Sequence, residues 1–120
     1  MVDMIKLATS ISYKIRELET ARDELSAVAQ AVGPAIGAYR KRLAIVLIQL
    51  RNGVEMKLGE ETIQSPPASY TLDIAHGICS KEKMDSETAD TLFRAQLKIC
   101  DMLQAELNGL QSINKHLSDI

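Results

Sequence analysis

Apolar positions in the first third of the chain recur every seven residues, at Met4, Ile11, Leu18, Leu25 and Val32. Leu7, Ala8, Ile15, Ala21, Val28 and Ala29 fill the three- and four-residue offsets between them. That period predicts an amphipathic helix with coiled-coil character, one stripe facing a neighbour. The other face carries Lys14, Arg16, Glu17, Glu19, Asp23 and Glu24, mixed in sign as on a solvated surface. Gly33-Pro34 interrupts the pattern, because proline donates no backbone hydrogen bond and its ring crowds the preceding turn. A kink or break is expected there, which leaves residues 1–32 as a coiled-coil-like arm.

The periodicity restarts at Ile36 and runs through Leu43, Val46, Leu47 and Leu50, with Ala44, Ile45 and Ile48 apolar on the remaining sides. A helix over 34–52, buried on most faces, is expected. Arg51-Asn52-Gly53 supplies its stop. Val54, Met56 and Leu58 then alternate with Glu55 and Lys57, Gly59-Glu60-Glu61 reads as a turn, and Thr62-Ile63 as a return strand. A small β-hairpin within 53–64 follows from this pattern. Ser65-Pro66-Pro67 marks a helix start, since a first helical residue needs no N–H donor. The short helix it opens, within 66–77, closes at Gly77.

The last helix, over 81–118, is capped by Ser80 or Asp85. Ala89, Leu92, Phe93, Gln96, Ile99, Cys100, Leu103, Leu107, Leu110, Ile113 and Leu117 form its stripe. Gln96 and Asn114 are polar residues at seam positions, which commonly fix register. The whole reads as one all-α domain: a long antiparallel helical hairpin or bundle, with the β-hairpin and short helix inserted between the long helices. Two such helices cannot cover each other's stripes on every side, so self-association, as a homodimer in the first instance, is expected.

Composition agrees with helix. Leu, Ile, Val and Phe make 32 of 120 residues, enough to fold, while aromatics are only 3% and Trp is absent. There is no apolar run of 18 residues and no basic segment followed by an apolar one at the start. Neither a membrane span nor a secretory signal is expected, and the cytosol is the expected compartment. Cys79 and Cys100 are too few for a disulfide framework or a thiolate zinc site, and His76 and His116 lack partners at ligand spacing. Cys100 reads as a core residue. Cys79 has Lys81 and Lys83 nearby but no histidine placed as a base. Phosphate-loop, dinucleotide, hydrolase and calcium-loop motifs are absent, so a non-enzymatic role without cofactor or small-molecule substrate is expected.

Charge is less even than the net of −2 suggests. Between residues 33 and 58, Arg40, Lys41, Arg42, Arg51 and Lys57 face only Glu55, whereas the last 62 residues hold ten acids and five bases. Tyr39, Arg40, Lys41 and Arg42 put one aromatic and three cations in a row, the elements of a single-strand-binding surface. The same cations would also serve beside an acidic helix. Asp85, Glu87, Asp90, Asp101 and Glu106 are candidates for an acidic face imitating a phosphate backbone, diluted by Arg94 and Lys98.

Three segments carry a resemblance: Tyr39 to Gly53 (YRKRLAIVLIQLRNG), Ser65 to Gly77 (SPPASYTLDIAHG) and Ala105 to Leu117 (AELNGLQSINKHL). In this order they are similar to small helical proteins of phages and prophages of Gram-positive bacteria, over roughly residues 36–118. The resemblance brings no catalytic residues. It implies a phage accessory protein encoded near recombination and single-strand-annealing genes, binding a phage recombination protein or single-stranded DNA. The alternatives are an inhibitor of a host nuclease or defence complex, and a purely structural oligomerisation module.

Overall fold

The computed structural model describes residues 4 to 119. Helix α1 spans Met4–Arg51, strands β1 (Met56–Leu58) and β2 (Glu61–Ile63) form a hairpin, helix α2 spans Ala68–Ile78, and helix α3 spans Ser80–Ser118. Contacts divide the chain into two compact units, one of residues 1–29 with 92–120 and the other of residues 30–91. The expected interruption at Pro34 is not found, for α1 is helical through it. A proline removes one donor from the ladder but leaves its own φ in the helical range.

In the first unit, α1 contributes Leu18 and Ala21, and α3 contributes Cys100, Leu103 and Leu107, to a core against which Ile11 and Leu25 also pack. Leu7 is buried as well. The α1 positions 7, 11, 14, 18, 21, 25 and 28 alternate steps of four and three, as do 96, 100, 103, 107, 110, 114 and 117 of α3, the spacing of a coiled-coil seam. Cross-links fix the direction. Lys14 Nζ donates to Glu106 Oε2 at 2.6 Å, while Gln96 Nε2 donates to the Ala21 carbonyl at 3.0 Å. Numbers rise along α1 as they fall along α3, so the helices are antiparallel. Lys14 occupies a seam position with its head outward, while Met4 and Ile15, counted in the stripe on spacing alone, are exposed.

In the second unit, Val46 and Leu50 of α1 meet Ala75 of α2 and Cys79, all at most 2% exposed. Tyr39, Leu43, Leu47, Met56, Ile63, Ile74 and Ile78 surround them. Helix α1 ends in a Schellman motif: the Gly53 amide donates to the Leu50 carbonyl and the Val54 amide to that of Gln49, with Gly53 at φ +77°. The hairpin pairs Met56 with Ile63 and Leu58 with Glu61, so Glu61 belongs to the strand and the loop is Gly59-Glu60. Gly59, at φ +63°, takes the positive dihedral that tight hairpin turns demand at their first central residue.

Three helix boundaries differ from the sequence pattern: α3 begins at Ser80 itself, so neither Ser80 nor Asp85 precedes it as a cap, and both ends of α2 are shifted. Pro67, not Ser65, is the N-cap of α2, and no side chain caps it. Ser65 instead adopts a left-handed φ of 46°. Gly77 does not end α2, which runs one residue further to Ile78. Its lack of a side chain serves packing, because a Cβ there would stand 2.9 Å from Leu58 Cδ1 of the hairpin. Only Cys79 separates α2 from α3: its amide bonds the Ala75 carbonyl and its own carbonyl accepts from the Lys83 amide.

The 34–52 segment is not buried on most faces either, for Ile45 and Ile48 are 39% and 59% exposed. An apolar helix with neighbours on one side buries only that side. Leu50→Ala should therefore cost about 2–5 kcal/mol in urea unfolding, and Ile48→Ala should stay within about 0.5 kcal/mol. Equal losses would contradict this division of α1 into a buried and an exposed face.

Candidate functional site

The basic row Tyr39 to Arg42 occupies one turn of α1, and a helical turn sends successive side chains about 100° apart. Tyr39 is accordingly half-buried, packed against the second unit's core, which leaves less of it open for base stacking. Arg42 turns toward α3, its Nε 3.9 Å from Glu82 Oε1. Arg40 and Lys41 are exposed. Two of the four candidate residues thus face solvent, and the row is not brought together as one surface.

The acidic candidates are also dispersed. In the second unit, Asp85 and Glu87 are both exposed but lie two positions apart, on different sides of α3. Glu87 has Lys83 Nζ at 3.9 Å, and Asp90 is half-buried. In the first unit, Asp101 is exposed while Glu106 accepts the hydrogen bond from Lys14. Five acids spread around a helix do not make the single negative face that phosphate mimicry needs.

Cys79 is the most chemically distinctive buried group. Its thiol lies among Val46, Leu50 and Ala75. Burial pushes its pKa up, the Glu82 charge pushes it further, and Arg42 opposes both. Lys81 and Lys83, the cations that suggested activation from sequence, are not among the groups that shift it. A thiol held in its neutral form is a poor nucleophile. Beside it, Glu82 Oε2 is buried without a hydrogen-bond partner among the described residues. Cys100 is a buried free thiol in the first unit's core. Among the described residues no three His, Cys, Asp or Glu side chains gather as a metal site, and no helix is long and apolar enough to cross a membrane.

Polar contacts cluster on the first unit's seam, where the apolar spacing places Gln96 as a register residue but does not single out Lys14, Arg22 or Gln104. Lys14 bonds both Glu106 and Glu17, whose oxygens hold its ammonium pKa above the ordinary lysine value, Glu106 foremost. Arg22 donates to Gln104 Oε1 at 2.8 Å, and Gln96 also reaches Glu24 at 3.3 Å. The 7-11-14-18 register could have found Lys14, since it places a cation on an otherwise apolar stripe. Open grooves run along α1 here, one beside Met4, Ala8 and Ser12 and another beside Tyr13, Glu17 and Thr20. Neither encloses a small molecule.

The exposed surface is mostly polar, but it also carries large apolar side chains. Fifteen large hydrophobic side chains among the described residues are more than a third exposed, on all three helices and on the segment after α1. No protein-family model matches the chain, and neither the curated proteins nor the solved structures show a significant match to it. The phage likeness therefore rests on its three sequence segments.

Both cysteines should resist a thiol reagent in the native protein at pH 8 and react once it is denatured. Because the Cys79 pKa is raised, its protection should persist as pH rises past the usual thiol range near 8.5. Rapid native labelling of Cys79 would overturn its placement in the core.

Proposed function

We propose that this chain is a non-enzymatic helical accessory protein that works by binding another protein through its exposed apolar helix faces. The observation that carries this reading is the set of Ile, Leu, Met and Tyr side chains left open to solvent, several of them, such as Ile5, Tyr13, Ile48 and Met84, about 60% exposed or more. Large apolar side chains left open along helix faces suit docking against another protein. The buried, neutral Cys79 and the open grooves supply neither an activated nucleophile nor a substrate pocket. Service to phage recombination or replication is the context that the sequence resemblance suggests for such a protein.

Single-stranded DNA is the second reading, and exposed Arg40 and Lys41 favour it. Their charge is real, but Tyr39, the aromatic that stacking would use, is half-buried against the second unit's core. Anisotropy of a labelled single-stranded oligonucleotide, titrated with protein at low and near-physiological salt, separates the readings. The protein-binding reading expects no micromolar binding at either salt. Binding that weakens steeply with salt and disappears in Arg40→Glu/Lys41→Glu would replace it with the nucleic-acid reading.

A further inference from the structure

Helix α3 carries two apolar stripes, and α1 covers one of them. The covered stripe runs through Cys100, Leu103 and Leu107. The other runs through Leu92, Ala95, Ile99, Met102, Glu106, Gly109 and Ile113, in strict steps of three and four over three heptads. Leu92, Ile99, Met102 and Ile113 are 55%, 41%, 53% and 50% exposed, and Ala95 and Gly109 are exposed as well. This stripe lies wholly within the first unit. Its 21 rises of 1.5 Å make it about 32 Å long.

We infer that this second stripe is the interface for a second copy of the chain, joined by antiparallel pairing of α3 with α3 about a two-fold axis. This rests on the reading of the chain as a protein-binding module and names one of its partners. Heptad spacing selects an occupant that is itself a helix with the same period, and a straight helical stripe is complementary to itself under a two-fold rotation.

From Leu92 to Gly109 the residues along the stripe also fit their own reverse. With Ile99 opposite the partner's Met102, Ala95 falls opposite the partner's Glu106 and Leu92 opposite the partner's Gly109. Large meets small at both outer layers, and at the centre the adaptable Met102 meets the branched Ile99. Glu106, the charge on the stripe, then lies within one turn of the partner's Lys98, an exposed cation on the stripe's outer flank. Lys14 holds Glu106 through Oε2, and a carboxylate accepts at two oxygens. A stripe of this length and one helix wide sits at the small end of specific interfaces, so the dimer should be a micromolar one.

Sedimentation equilibrium of the full chain tests this. A mass near twice 13.2 kDa at tens of micromolar is expected. Ile99→Asp/Met102→Asp should weaken association at least about tenfold, with the helical circular dichroism unchanged because both positions are exposed. Ile45→Lys/Ile48→Lys, on α1 in the other unit, should leave association as it was. Lys98→Glu should weaken the dimer about two- to fivefold by bringing like charges together, while leaving the Lys14–Glu106 bond in place. A chain monomeric at 100 μM, a dimer indifferent to Ile99→Asp/Met102→Asp, or a dimer that Lys98→Glu leaves unchanged would each overturn the pairing. Failure here would remove the second copy alone, whereas salt-dependent DNA binding would remove the protein-binding reading whatever the mass.

Discussion

The first unit depends on one seam, in which Leu18 and Ala21 of α1 interlock with Cys100, Leu103 and Leu107 of α3. A purely apolar seam of this kind tolerates slippage by a heptad, because each layer resembles the next. Polar anchors remove that freedom. The Lys14 bond to Glu106 and the Gln96 bonds to the Ala21 carbonyl and Glu24 join the two helices at definite heights. Their value lies less in stabilisation, which partly exposed ion pairs supply poorly, than in favouring the one register that keeps Lys14 against Glu106.

The second unit is organised differently. Its core is short and irregular, drawn from α1, α2 and the hairpin around Val46, Leu50, Ala75 and Cys79. No long periodicity aligns these elements, so local backbone devices do. The Schellman turn at Gly53 ends α1, the Gly59-Glu60 loop reverses the strands, and bare Gly77 lets Leu58 lie against α2. The same chain thus holds its two ends by repetition and its middle by particular turns.

That contrast decides how much was legible in advance. Periodicity showed both long helices, and alternation showed the hairpin, because each pattern extends over enough residues to exceed local noise. The R-N-G stop was legible because positive φ selects glycine. Gly77 reads as a terminator in sequence, since sequence does not distinguish a glycine that takes a positive dihedral from one that lies helical beneath a neighbouring side chain. Pro34 was overweighted, as an otherwise continuous helical pattern outweighed one absent donor. For the candidate basic site, adjacency in sequence was mistaken for adjacency in space. Tyr39 and Arg42 point away from Arg40 and Lys41 for the elementary reason that they share a helix.

The single-residue joint at Cys79 has a consequence for how this chain can vary. Its amide and carbonyl are both taken up by the helices on either side, by Ala75 and by Lys83. One added or lost residue there would turn the start of α3 by about 100° about its axis relative to α2. Ser86, now buried, would swing out, and Glu82 would leave Arg42. Length at this joint is thus fixed by angle, not by reach. Surface loops elsewhere can absorb insertions by bulging, whereas this corner works as a keyed coupling that transmits every change in count as rotation.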